Sequence, residues 1–296
     1  MRKILITVMP LFRFALYLLL GCFPRRRVNL RLRSRIFFFD RIVLAAVRYA
    51  RIEQDVMVET TFHYEEVSFS ISLNITEFTQ LGYYLGIVDP GIVKCIVEFK
   101  DSDGGFLDVG ANVGLYSILA AHYYREVYSI EPCFESFCRF KSNLSSTGIN
   151  NVTVFHCALS DDDTTRMLFI NPFNKGGNSL HAGVERKFPS YFPMRLDVVQ
   201  EPVTVVRGDS LVRNFGCPIA FCKIDVEGHE WKVILGLSVT LSEMVFPILV
   251  EVGAGDDRLS RLQGYLLQKG LRKAADGPTL SLLGRNDYLF IPVIPS

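Results

Sequence analysis

No CxxC pair, no second pair of cysteines at zinc-site spacing beside Cys217 and Cys222, no internal repeat and no low-complexity tract occur in this 296-residue chain. These absences count against a dithiol redox motif, a zinc module and a repeat array. The seven cysteines are an odd number and lie mostly inside apolar runs, so they read as buried free thiols, which suits a reducing compartment. Acid is also scarce at the start. Residues 1–51 hold 12 Lys and Arg against one acid, Asp40, while the rest of the chain holds 20 basic and 30 acidic residues. The overall charge of +1 thus conceals a basic arm joined to an acidic body. Such an arm seeks an anionic partner, and its hydrophobicity favours a membrane surface over nucleic acid.

Met1 to Phe23 is apolar for about the ~20 residues a spanning helix needs, but Pro10 and Arg13 interrupt it. A central arginine costs about 3 kcal/mol on insertion scales, which a dozen aliphatic and aromatic side chains offset, so insertion is marginal. Six arginines follow between positions 25 and 35, and the positive-inside rule would keep everything after them cytoplasmic. Ile36 to Ile52 either lies flat on a bilayer or packs on the body as an ordinary helix. Leu19 to Cys22 also resembles a lipoprotein cleavage box, though Arg13 and the arginine cluster oppose export.

The division expected is a membrane-associating segment at 1–52, an α/β cover at 53–104 and a main domain at 105–296. In the cover, Val67, Phe69, Ile71 and Leu73 alternate with polar residues as in a half-buried strand. Thr76 is positioned to cap a helix running to Gly86, and Ile92 to Phe99 offers another. In the main domain, strands are expected at 106–109, 127–131, 152–157, 219–226 and 247–252, with helices near 115, 135, 229 and 258. That alternation gives a doubly wound, mostly parallel α/β sheet. Residues 160–218 break the rhythm and read as an inserted loop and hairpin beside the ligand. A closing hairpin is expected from 280–283 and 288–292 around Gly284 and Asn286.

The central stretch is Phe106 to Gly114, FLDVGANVG, a strand running into a glycine turn and a helix. Gly110 can take positive φ and let a ligand lie against bare backbone, while the helix start offers unpaired N–H groups. Glu131 ends the next strand, 17 residues after Gly114, where an acid can accept both hydroxyls of a ribose or simply cap the following helix. A dinucleotide fingerprint needs a further glycine where this chain has Asn112, which weakens a nicotinamide reading.

The second constellation is KIDVEGHE, Lys223 to Glu230, at another strand end. Asp225, Glu227 and His229 are the candidates for deprotonating an acceptor hydroxyl, His229 being best matched to neutral pH and Asp225 closest to the strand tip. Glu227 and Glu230 also suit a first helical turn. A metal site made of Asp225, Glu227 and His229 is the weaker alternative, and no metal is expected.

FLDVGANVG, then Ile130-Glu131-Pro132, then KIDVEGHE closely resemble the FkbM family of S-adenosylmethionine-dependent methyltransferases. Ala158-Leu159-Ser160 resembles the family's stretch after the third strand, and Gly177, Ser179 and Leu180 its G-x-x-S-L element. Asp209-Ser210-Leu211 sits where the family has an L-D pair, with Gly208 replacing the leucine. The resemblance covers about 105–292 and leaves the basic arm outside it. It implies a seven-stranded class I (Rossmann-like) domain that moves a methyl group from S-adenosyl-L-methionine to a hydroxyl of a sugar, glycolipid or related metabolite. On this resemblance the donor meets Asp108, Gly110, Asn112, Gly114, Glu131 and Ala158, and the acceptor pocket draws on Asn178, Ser179 and His181. The acceptor would be a small-molecule, glycan or lipid partner at the cytoplasmic face of a membrane, with no nucleic acid involved. A nicotinamide oxidoreductase and a membrane-tethered module without activity are the alternatives.

Overall fold

The computed structural model describes residues 25–29, 55–171, 174–181, 199–253, 257–274 and 285–293. The candidate span at 1–23, the helix at 36–52 and the strand at 280–283 lie outside these residues. Among the described residues no helix is long and apolar enough to cross a membrane. The chain divides into two compact units between Pro90 and Gly91, with residues 174–176 belonging to the first.

The first unit holds a three-stranded sheet in the order β1-β2-β3, from β1 (Arg25–Asn29), β2 (Met57–Tyr64) and β3 (Val67–Asn74). β1 lies parallel to β2, so three of the arginines of the basic cluster stand in a strand. β3 buries Phe69, Ile71 and Leu73, as the alternation predicts, and Phe69 stacks on Phe62 with ring centroids 5.7 Å apart. Helix α1 (Phe78–Leu85) begins after Glu77 rather than at Thr76, whose hydroxyl donates to Asn74 Oδ1 at 2.6 Å. The side chain that was free to cap is already committed to the preceding turn. Helix α2 (Pro90–Glu98) then opens on a proline, whose missing N–H is no loss in a first turn.

The second unit is organised on strands β4 (Gly105–Val109), β5 (Glu126–Ile130) and β6 (Val152–Phe155), linked by helices α3 (Leu115–Ala120) and α4 (Phe134–Thr147). β7 (Ala158–Ser160), β8 (Thr164–Ile170) and β9 (Val199–Arg207) follow, with β8 and β9 antiparallel and β7 parallel to β9. They form the hairpin expected within 160–218. Helix α5 (Gly208–Val212), β10 (Ile219–Ile224), α6 (Glu230–Gly236), α7 (Thr240–Glu243), β11 (Ile248–Gly253), α8 (Arg258–Gln268), β12 (Leu271–Lys273) and β13 (Arg285–Pro292) complete it. The main sheet has seven strands in the order β12-β13-β11-β10-β4-β5-β6. Only β13 runs against the others, pairing antiparallel with both β11 and β12.

Continuous apolar runs explain the central strands. All five residues of β4 are buried, as a parallel strand covered on both faces requires, and Phe106 packs on Phe221 at 5.6 Å. The second strand of the expected closing hairpin begins earlier than 288. Asn286, expected in the turn, lies inside β13 opposite Val252, and β13 also pairs with β12. A local turn signal gave way to pairing with a strand distant in sequence.

Candidate functional site

Strand order decides where a ligand can sit. From β4 the sheet grows one way through β5 and β6 and the other way through β10 and β11, so the order reverses between β4 and β10. Crossovers leaving in opposite directions open a crevice at the carboxyl ends of these two strands. Asp108 to Gly114 leaves β4 at that point, and Asp225 to His229 leaves β10 beside it.

The glycine turn is fixed by its neighbours. Gly110 has φ +86°, and a Cβ there would lie 1.8 Å from the Asp225 carbonyl oxygen. Gly114 has φ +91°, and its Cβ would fall 2.1 Å from the Phe140 ring. Both glycines therefore admit close packing, with the adjoining loop and with α4, where the sequence suggested space for a ligand. Asn112 also takes positive φ, 52°, a conformation asparagine tolerates better than most residues. Its N–H donates to Glu131 Oε2 at 2.7 Å, and its buried side-chain oxygen has no hydrogen-bond partner among the described residues. Helix α3 is only six residues long, so its dipole adds little to the turn.

Glu131 is buried and accepts from Cys133 N–H at 2.9 Å through its other oxygen. It thus braces the glycine turn and the entry to α4 together. Burial drives its pKa up to about 7, against the two backbone N–H bonds. Each carboxylate oxygen still has a lone pair for a further donor.

Beneath the turn lies a cluster of charge. Asp108 is fully buried and accepts from Ser117 Oγ at 2.6 Å, and Ser117 in turn accepts from Ser129. The buried Lys223 ammonium stands 3.6 Å from Asp108 and 3.4 Å from Asp225, with the Tyr116 ring centroid at 5.5 Å. Burial raises the Asp108 pKa more than Lys223 and Ser117 lower it. Asp108 therefore faces inward, towards Ser117 and Lys223. Lys223 and Tyr116 are the residues that sequence reasoning missed. The available signal was a lysine in the otherwise apolar strand IAFCKI, since buried lysines are rare unless paired.

On the β10 side, Glu227 has φ 57° and Gly228 φ 106°, which turns the chain sharply before α6. Ser179 donates to the Glu227 carbonyl at 2.9 Å and its hydroxyl accepts from His181 N–H at 3.2 Å. Ser179 also exchanges two backbone bonds with Phe169 of β8, and Asn178 Oδ1 accepts from Asn171 N–H at 2.8 Å. The proposed acceptor residues and the KIDVEGHE loop are thereby brought together. Glu230 accepts from Gly228 N–H at 2.6 Å, the first-turn role open to it from sequence.

His229 differs from its sequence expectation. It is buried, with Nε2 3.0 Å from Ser160 Oγ and Nδ1 3.4 Å from His181 Nε2. Burial first, then the positive neighbours His181 and Arg166, push its pKa down to about 4. It is neutral where a base matched to neutral pH would titrate. Among the described residues no three His, Cys, Asp or Glu side chains are grouped to hold an ion. Ala158, buried in β7, packs with Cys133, Leu168, Ile170, Val203 and Val205.

The chain matches the family model described as Methyltransferase FkbM domain over residues 108–272. It is 23% identical over 205 residues to Methyltransferase 1 of Beauveria bassiana, covering 63% of this chain and 80% of that protein. It is 26% identical over 167 residues to hexuronic acid methyltransferase AglP of Haloferax volcanii, covering 56% of this chain and 63% of that one. The crystal structure of an FkbM methyltransferase from Methylobacillus flagellatus superposes with a TM-score of 0.46 at 15% identity, over 73% of this chain and 53% of that one. The match thus spans less than two thirds of two of these three relatives. With more than half of its residues matched by the family model, including the glycine turn, Glu131 and the KIDVEGHE loop, the chain belongs to the FkbM methyltransferase family.

Proposed function

We propose that this protein transfers a methyl group from S-adenosyl-L-methionine to a hydroxyl of a sugar, glycolipid or related metabolite. The observation that carries the reading is the set of buried acceptors at the crevice. Asn112 Oδ1 has no partner among the described residues, and the Glu131 carboxylate retains capacity beyond its two backbone bonds. Such a pair suits a ligand that presents several hydroxyl or amino donors. Glu131 would take the ribose, Asn112 and the Gly110 to Gly114 turn the remaining polar edge, and Asp108 would act electrostatically from below. Ala158 would border the apolar side with Cys133. The donor, when bound, supplies a sulfonium methyl open to in-line attack, and the protein's work is alignment and removal of the acceptor proton.

The hydroxyl of a sugar as acceptor is supported by the name of the Haloferax volcanii relative and by a loop, 225–229, rich in groups that hydrogen-bond to hydroxyls. A membrane-proximal acceptor is supported by the basic, apolar arm. Calorimetry with S-adenosylhomocysteine and with NAD tests the donor: binding of the first alone is expected, and binding of NAD alone would reinstate the oxidoreductase. Labelled donor incubated with glycolipid and glycan extracts tests transfer, and donor binding with no labelled product would favour a module without activity. Cosedimentation of the full chain with anionic phospholipid vesicles tests the arm, with binding that weakens as salt rises expected.

A further inference from the structure

Resting on the methyltransferase reading above, we propose that Lys223 is a positioning residue that ties the donor turn to the acceptor loop, so that one buried ammonium sets the registry of the two. Strand register puts the groups concerned on one face of the sheet. Lys223 is the partner of Asp108 in the parallel pairing of β10 with β4, and Asp225 follows two residues on, so the three side chains project to the same side. The distances agree. The ammonium lies 3.6 Å from Asp108 Oδ1 and donates to Asp225 Oδ2 at 3.4 Å, and the Tyr116 ring of α3 borders it with its centroid at 5.5 Å.

Those three partners bracket the glycine turn. Asp108 leads into it from β4, Tyr116 follows it on α3, and Asp225 opens the loop that leaves β10. Backbone contacts fix Asp225 at the same place: its N–H donates to the Val109 carbonyl at 2.9 Å, and its own carbonyl oxygen is the atom that a Cβ on Gly110 would meet at 1.8 Å. Exposure is graded along the cluster. The side chains of Asp108 and Lys223 are 1% and 3% exposed and that of Asp225 is 31% exposed, so the tie runs from the core out to the loop.

Stability alone is a poor reason for a lysine here. The rest of β10 is Ile219, Ala220, Phe221, Cys222 and Ile224, and apolar residues of like volume serve a buried position as well as an ion pair does, or better. An apolar side chain cannot hold two carboxylates on different elements at once. The ammonium's charge also reaches a third acid. Burial dominates the raised pKa of Glu131, and Lys223 is among the groups that pull it back down, whereas Asp108 adds to the rise. Methyl transfer to a hydroxyl demands alignment of the two reactants, and a misplacement of about 1 Å costs about 10²-fold in rate. Lys223 serves that alignment through Asp108 and Asp225.

The test pairs a charge-neutral replacement with a single carboxylate change in the full chain. Lys223→Met/Asp108→Asn removes the ammonium and its buried counter-charge together, and Asp225→Asn leaves both in place. With saturating labelled donor and a glycolipid extract, each should lower the rate by about 10²-fold. In the combined variant, the further loss from Asp225→Asn should shrink to about threefold or less, because the tie is already gone. A lysine that serves packing alone predicts a wild-type rate in the neutral pair, and that result overturns the proposal. So does an equal loss from Asp225→Asn in both backgrounds. A second readout needs neither donor nor the Lys223 variant to fold: with isotope-labelled lysine, the Lys223 ammonium signal, assigned by its proximity to the Tyr116 ring, should shift in Asp225→Asn. A signal left in place overturns the tie. Wild-type chain that binds no S-adenosylhomocysteine and labels no extract overturns the methyltransferase reading beneath, an outcome distinct from an active wild type whose variants are additive.

Discussion

The two walls of the crevice are built differently. On the β4 side, each polar group that shapes the turn is tied to backbone or buried: Glu131 to two N–H groups, Asp108 to Ser117, and Gly110 to the neighbouring carbonyl through close approach. On the β10 side the loop is held by side chains, chiefly Ser179 and the His181–His229 pair, and a Cβ on Gly228 would meet side-chain atoms at 3.3 and 3.6 Å rather than backbone. A rigid wall suits a donor of fixed shape. A wall held by a few side chains is the one that single substitutions would reshape most readily.

The sharpest break of that contrast is a pair of glycine substitutions. Gly110→Ala would place a Cβ 1.8 Å from a carbonyl oxygen at positive φ, so a loss above about 5 kcal/mol is expected, enough to prevent accumulation of folded protein. Gly228→Ala meets side chains alone, the Arg258 guanidinium at 3.3 Å and the His181 ring at 3.6 Å, so its main cost is the backbone strain, about 1 to 2 kcal/mol. Urea denaturation of both variants checks the ordering. Lys223→Met comes next. It leaves Asp108 buried beside no cation, which costs about 3 to 5 kcal/mol, while Asp108→Asn in the same chain should recover most of the loss.

Acidity separates the two walls again. Glu131 has a folded pKa of about 7, above the ordinary 4.5, so the folded state keeps a proton the unfolded chain gives up, and its contribution declines as pH rises through that window. His229 has a folded pKa of about 4, below the ordinary 6.5, so the unfolded chain takes up a proton first and stability is lost as pH falls through that window. Between about pH 4.5 and 6.5 the two slopes oppose, each approaching about 1.4 kcal/mol per pH unit. Glu131→Gln should therefore expose a fall in stability towards acid, and His229→Asn a fall towards neutral pH. Denaturation at four pH values distinguishes them. A wild type steeper than either variant would show that the two groups do not oppose each other.

Much of this was legible from residues alone, and the limits have a physical pattern. FLDVGANVG, Glu131 and KIDVEGHE are local in sequence, so their strand ends and turns could be placed, and the parallel sheet followed from the βα rhythm. Pairing over long separations could not be placed so well. The β12 to β13 hairpin, the closing of Gly110 against Asp225 and the meeting of Ser160 with His229, 69 residues apart, are set by tertiary packing. The same limit explains why His229 looked suited to neutral pH: its type is visible in the sequence, whereas its burial and its imidazole neighbour are not.

The smallest effect is the one that best separates the walls. Ser179→Ala deletes one hydroxyl that donates to the Glu227 carbonyl and accepts from His181 N–H. A net loss of about 1 kcal/mol in stability is expected, the usual net contribution of such a hydrogen bond. Neither bond touches the glycine turn, so S-adenosylhomocysteine affinity should be unchanged. Acceptor KM should rise several-fold, because Ser179 fixes both the loop and the segment bearing His181. Calorimetry and steady-state kinetics on the same preparation check the split. Equal losses in donor and acceptor affinity would mean that the two walls move as one body, and that the rigid-donor, adaptable-acceptor division does not hold.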